Sequence, residues 1–264
     1  METNDTPLTI DLAVPQGWHE LGDDKLELVF SLISQEFPLP EIQTICLLRW
    51  SGITVVGRHD LGTRLCRKGK RSFVVSDEQI ASLLPFLDWL GGVPPLPVRL
   101  SRIGKADALN ADFQEVPFST FIFCDNLYQG VLQSQQSGNA QLADDLLRQL
   151  ASHLYPGVNM KRLSPMHLTN TLYWFISLKA YLSQVFSDFL KPVGSAAPEN
   201  LLGTPSVPSP KQLQDLMNAQ IRALTKGDIT KEKEILATDT WRALAELNAQ
   251  AREYQQLQNQ LKKK

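Results

Sequence analysis

The chain lacks the short motifs that announce common chemistries. It contains no Gly-x-x-x-x-Gly-Lys-Ser/Thr, no Gly-x-Gly-x-x-Gly after a strand pattern, no His-Glu-x-x-His and no Gly-x-Ser-x-Gly. Those absences remove the P-loop, dinucleotide-binding, zinc-protease and serine-hydrolase readings and move the expectation toward binding. Cysteine is scarce. Cys46, Cys66 and Cys124 are odd in number, far apart and without a Cys-x-x-Cys pair, a pattern that fits reduced thiols better than a disulfide scaffold. No long hydrophobic run is uninterrupted. The most apolar stretch, Leu168 to Leu190, is broken by Lys179, Gln184 and Asp188. It falls short of the roughly 18 apolar residues a membrane span needs and reads as a core helix. The opening Met1-Glu2-Thr3-Asn4-Asp5 is acidic and polar, without the basic and then apolar run of a secretory signal, so a cytoplasmic location is expected. A net charge of -2 argues against a wholly polyanion-binding protein, although a neutral total can hide a local basic patch.

What the 264 residues do hold is ordinary globular material, 43% hydrophobic and 20% charged, enough to bury a sizeable core. Leu26, Val29, Phe30 and Ile33 recur at helical spacing after Asp23-Asp24, which are expected to cap a helix that Pro38 and Pro40 end. Apolar residues from Ile42 to Trp50 follow. Gly52-Ile53-Thr54-Val55-Val56-Gly57 has strand composition, and Arg71 to Val75 is expected to pair with it as a small hairpin, near 53–75, across a basic loop. Ser76 and Gln79 form a capping box, with Val75 and Ile80 as its hydrophobic staple, and predict a helix to Leu90. Gly91 to Pro97 cannot continue that helix. Extended chain is expected to about Val116, then helices over Phe118 to Leu132, around Leu142 to Leu154, and from Ser164-Pro165 onward.

Residues 192–210 hold five prolines, two glycines and three serines and read as a flexible linker. Beyond it, Leu213, Leu216, Met217, Ile221 and Leu224 stripe one helix that restarts at Ser209-Pro210 and ends at Gly227. Trp241, Leu244, Leu247 and Tyr254 stripe a second, expected from about Ile229 to the terminal lysines with near-heptad spacing. The fold class that follows is mainly α with a small β-hairpin. A mostly helical body over 1–191 is joined by the 192–210 linker to a C-terminal amphipathic helical pair over 211–264.

Candidate chemistry is thin. His19-Glu20 suits acid–base work, but a pair before a helix is the plainer reading. Cys124-Asp125-Asn126 lies in an apolar segment, where a cysteine reads as a small hydrophobe. His153 and His167, with Cys46 or Cys66, lack the close spacing of zinc ligands, so neither metal nor cofactor is expected. The pronounced charge feature runs from Arg58 to Arg71, where Arg58, Arg64, Arg67, Lys68, Lys70 and Arg71 face one acid, Asp60, and Arg99, Arg102 and Lys105 follow. These cations are candidate phosphate contacts for nucleic acid; a solvated turn is the alternative, because stacking aromatics are scarce there.

Met217 to Asp228, Thr240 to Tyr254 and the stretch Phe-Ser-Thr-Phe-Ile-Phe-Cys-Asp-Asn-Leu-Tyr-Gln-Gly, Phe118 to Gly130, resemble uncharacterised proteins of gut-bacterial prophages and related mobile elements. A helical body with a helical tail is also similar in plan to phage tail-assembly chaperones. The resemblance implies genomic company and a place in the cytoplasm or in a phage-like particle, not a reaction. The function expected is therefore non-enzymatic structure or assembly, with the C-terminal helices binding a protein partner or a second copy. Nucleic-acid binding through 58–105 is the first alternative, and an enzyme with an unrecognised site the second.

Overall fold

The computed structural model describes residue 12, residues 14–190 and residues 210–262. It is mainly helical with two small antiparallel sheets, as the composition and patterning predict. The expected linker lies almost wholly outside the described residues. The chain divides into two compact units, Met1–Gly92 and Val93–Lys264, at a place where the sequence suggested no boundary.

In the first unit, α1 (Asp23–Ser34) buries Leu26, Val29, Phe30 and Leu32. Its capping position is Gly22, and Asp23 and Asp24 instead occupy the first turn, where their charge favours the helix dipole. Helix α2 (Leu39–Trp50) starts on Pro38, since a missing amide hydrogen costs nothing at a helix start. Trp18 is 3% exposed, stacks on Phe30 at 6.1 Å and donates its indole N–H to the Trp89 carbonyl at 3.0 Å.

The expected hairpin is a three-stranded meander. Strands β1 (Thr54–Asp60), β2 (Thr63–Lys68) and β3 (Arg71–Ser76) pair in the order β1-β2-β3, so the supposed basic loop is the central strand. Its cations disguised it, because a sheet only partly covered tolerates Arg and Lys on its open positions. Edge strand β1 is irregular at Val55/Gly57 and Arg58/Asp60, a common protection of an open edge.

Ser76 forms its predicted capping box with Gln79, but α3 spans only Asp77–Ala81, and Leu84–Gly91 is a 3-10 helix instead of a continuation to Leu90. Pro85 is the reason: it has no amide hydrogen for the carbonyl of Ala81 and clashes with that turn.

The second unit begins with extended chain and a two-residue ladder, β4 (Arg102–Ile103) with β5 (Ala106–Asp107). Helices α4 (Phe118–Gln136), α5 (Ala140–Leu154) and α6 (Pro165–Val185) pack around a core that includes Phe121, Leu150, Trp174, Phe175 and Leu178. Asn139 caps α5 through Leu142 N. Ser164 caps α6 in a box closed by His167, whose Nδ1 accepts from Ser164 N at 3.1 Å. Replacing Ser164 with Ala is expected to cost about 0.5–2 kcal/mol of stability in urea unfolding.

The extended chain before α4 is held by a closed buried circuit. Leu100 N donates to Asn170 Oδ1 at 3.0 Å, Asn170 Nδ2 to Tyr155 Oη at 2.8 Å, and Tyr155 Oη to the Leu100 carbonyl at 3.0 Å. The indole N–H of Trp174 reaches the Ala111 carbonyl at 2.8 Å. Every polar group in this circuit has a partner, as burial demands.

The C-terminal part contains α7 (Pro210–Thr225), α8 (Glu232–Ala237) and α9 (Thr240–Lys262). Gly227 ends α7 with φ +82°, as expected of a left-handed stop. The last helix does not run unbroken from Ile229. It is interrupted at Thr238-Asp239, where the chain turns extended, Phe118 N donates to the Thr238 carbonyl at 2.8 Å and Thr240 N to the Val116 carbonyl at 2.8 Å. Asp239 Oδ1 then accepts from Arg242 N at 3.1 Å and restarts the helix.

Candidate functional site

The nine residues expected to bind a partner fall into three groups. Leu244 and Leu247 are buried, and Met217, Ile221, Leu224 and Trp241 are half-buried, all against the core of the second unit. The side chains of Leu213 and Leu216 lie outside the described residues. Tyr254 is 63% exposed.

Trp241 illustrates how α9 is tied down. Its indole N–H donates to the Asp112 carbonyl at 2.7 Å, and its ring meets Phe186 at 5.4 Å and Tyr181 at 6.0 Å. Asp239 Oδ2 accepts from Glu115 N at 2.6 Å, and Thr240 Oγ1 donates to the Val116 carbonyl at 2.7 Å. Phe113 and Glu115, at this seam, have φ of +64° and +61°. Such a backbone is costly for residues with a side chain. Total burial of the Phe113 ring against Phe121, Trp174 and Phe175 holds the first of them. About two turns further along α9, Asn248 Oδ1 accepts from Asp188 N at 2.9 Å and Phe189 N at 3.0 Å, and beyond it Arg252 Nε pairs with Asp188 Oδ2 at 2.7 Å.

Beyond Arg252 the helix changes character. Tyr254 is 63%, Leu257 59% and Leu261 74% exposed, on the same helix whose Ala243, Leu244 and Leu247 are 0 to 3% exposed. Spacings of three and four residues set Tyr254, Leu257 and Leu261 on one face. Leu257 was missed as a site residue. The signal that could have found it is the Tyr254-x-x-Leu257-x-x-x-Leu261 spacing.

The basic candidates separate into the two units. Arg58, Arg64, Lys68 and Arg71 share one face of the meander by register, while Arg67 lies on the opposite face. Arg64 Nε pairs with Asp77 Oδ1 at 2.6 Å; Arg58, Arg67, Lys70 and Arg71 are exposed. In the second unit, Arg99 spends its guanidinium internally, with Nε on the Leu109 carbonyl at 2.8 Å and the group 5.4 Å over the Trp174 ring. Arg102 pairs with Asp107 at 3.0 Å, and Lys105 is exposed.

The nucleophile and metal candidates stay apart. All three cysteines are free and buried. Burial pushes the Cys46 thiol up to about 12, and raises those of Cys124 and Cys66. A raised thiol stays protonated and un-nucleophilic near neutrality. Alkylation by iodoacetamide at pH 8 is therefore expected to be slow for the native chain and fast once it is unfolded in urea. His153 rests on Phe123 at 4.4 Å, His167 is occupied as a helix cap, and His19 lies exposed 3.6 Å from Glu20. Among the described residues no three His, Cys, Asp or Glu side chains gather as a metal would need, and no helix is long and apolar enough to cross a membrane.

Comparison with protein-family models, with curated proteins and with solved structures found no match for this chain. The functional reading therefore rests on its own geometry.

Proposed function

We propose that the chain is a non-enzymatic structural or assembly protein, of phage or mobile-element origin, that recruits a protein partner through the end of its C-terminal helix. The observation that carries this reading is the division of α9. Its first half is stitched into the core, and its second half carries Tyr254, Leu257 and Leu261 more than half exposed. A rigidly rooted helix with an open apolar face is suited to helix-in-groove or helix-to-helix recognition, with the aromatic residue as anchor. Around that stripe stand Gln255, Gln256, Gln258 and Gln260, and the chain ends in Lys262-Lys263-Lys264. The complementary surface is an amphipathic helix with an apolar stripe and acidic residues at the lysine end. A groove of about 560 Å³ in the first unit, lined by Leu47, Leu48, Ile53, Phe73, Val75 and Ile80 with Gln79 as its polar side chain, supports an enzyme poorly, since it lacks the converging polar groups of a reaction centre.

A second reading, nucleic-acid binding, is favoured by the four cations that register places on one face of the meander. It calls for retention of generic DNA or RNA at low salt and loss of that retention when Arg58, Arg64, Lys68 and Arg71 are replaced by Ala, with Arg67→Ala, on the opposite face, as the control.

A photo-crosslinking residue at position 257 of the full chain, expressed in its native cells, tests the leading reading. One discrete adduct with another protein is expected, abolished by Tyr254→Ser with Leu261→Ser. No adduct, adducts only between two copies of the chain, or adducts indifferent to that double substitution would overturn it.

A further inference from the structure

The chain that follows α6 turns tightly over residues 186–190. Phe189 N and Leu190 N both donate to the Phe186 carbonyl, at 3.2 and 2.8 Å, and Phe186 N closes on the Leu182 carbonyl at 2.8 Å. Phe186 is buried against the Trp241 ring, and Phe189 and Leu190 pack on the core of the second unit. Asp188 is the member of this knuckle that engages α9. Its N–H donates to Asn248 Oδ1 at 2.9 Å, its Oδ2 accepts from Asn248 Nδ2 at 3.4 Å and from Arg252 Nε at 2.7 Å, and its carbonyl accepts from Gln255 Nε2 at 3.3 Å. One residue therefore grips the helix at three points over about two turns. A half-open ion pair contributes little by itself. Here it stands beside Asn248, 8% exposed, whose amide is engaged by the knuckle through both its oxygen and its nitrogen, and a buried amide left unpaired is destabilising.

The three gripped positions share a face. At about 100° per residue, Asn248, Arg252 and Gln255 fall within about 60° of one another, whereas Leu257 lies on the opposite side of the helix with Tyr254 and Leu261 within about 60° of it. The grip is thus from behind. It fixes the helix without covering the exposed stripe, and its last point, Gln255, lies just past Tyr254. From the other side Gln258 Nε2 donates to Tyr254 Oη at 2.7 Å, which holds the direction of the ring.

We propose that Asp188 is a positioning residue for the recognition face of α9, holding the helix through residue 255 so that Tyr254 meets a partner already in place. This inference rests on the recruitment reading given above. A face fixed before the encounter loses less conformational freedom on binding than a frayed one, and so binds more tightly.

Asp188→Ala in the full chain removes the carboxylate, keeps the backbone contacts and leaves the stripe itself unaltered. Hydrogen exchange of the amides within 251–254 is expected to speed up about threefold or more, while the amides of Leu150 and Leu178 keep the parent's rates and show that the unit stays folded. Arg252→Asp alone is expected to act in the same way, and Asp188→Arg combined with Arg252→Asp to bring the rates back toward the parent's. With the photo-crosslinking residue at position 257, adduct yield is expected to fall about threefold or more in each single variant and to recover in the swapped pair. Parent rates within 251–254 in Asp188→Ala, no recovery in the swapped pair, or faster exchange with an unchanged adduct would each overturn the proposal. No adduct in the parent chain defeats the recruitment reading, and the positioning role with it, while the exchange rates still show whether the grip exists.

Discussion

Trp174→Ala is expected to destabilise the second unit by about 3–5 kcal/mol, measured as a lower urea midpoint at unchanged slope. The side chain is wholly buried, meets Tyr155 at 5.5 Å and Phe113 at 6.4 Å, and has the Arg99 guanidinium over its face. Removing it opens a cavity that α4 and α6 cannot collapse into without moving Phe113, whose backbone is already left-handed. The carbonyl of Ala111 also loses its donor, and an orphaned buried acceptor adds a cost of about 1–3 kcal/mol where water cannot replace the donor. Trp174→Phe shifts the balance between the two contributions, since it keeps much of the apolar volume but removes the N–H entirely. It is expected to fall between the parent and Trp174→Ala.

Much of this architecture was legible in the sequence because it depends on local chemistry. Ser76 with Gln79, Ser164 with Pro165, and Gly227 each act within a few residues of themselves, and each appears where its pattern places it. The stop at Ala81 was legible too, in Pro85, whereas a capping box marks only where a helix begins and says nothing of where it ends. Strand β2 was hidden because Thr63 to Lys68 is short and half cationic, and only its pairing with β1 and β3 makes it a strand. The apolar stripes of the tail were plain, but which residues they cover is decided by partners far away in sequence. Trp241 finds Asp112 and Asn248 finds Asp188 across more than fifty residues, and no local pattern encodes that. The distinction between the covered Leu244 and the exposed Leu257 is therefore visible only in the fold.

That distinction gives the second large effect. Leu244→Ala is expected to cost about 2–5 kcal/mol, because the side chain is fully buried in the core beside α4. Leu257→Ser, thirteen positions on and 59% exposed, is expected to change stability by no more than about 0.5 kcal/mol. Paired thermal melts of the two variants check this. On the proposed function, the effects on partner capture run the other way. Leu257→Ser abolishes capture in a folded chain, whereas Leu244→Ala reduces it only to the extent that the unit unfolds. A chain ending after Gly203 loses both properties, since it removes the root of the helix with its open end.

The account turns on α9 being two things in succession, a strap within the core and then an open recognition face. Hydrogen exchange along this helix in the isolated chain measures that directly. Amides within 243–250, backed by Leu244, Leu247 and the Asn248 contacts to Asp188 and Phe189, are expected to exchange only with unfolding of the second unit. Those within 255–261 are expected to exchange faster by at least about a hundredfold, through local fraying of an uncovered helix end. Equal protection in the two halves would mean that the second half is already covered and would contradict the account.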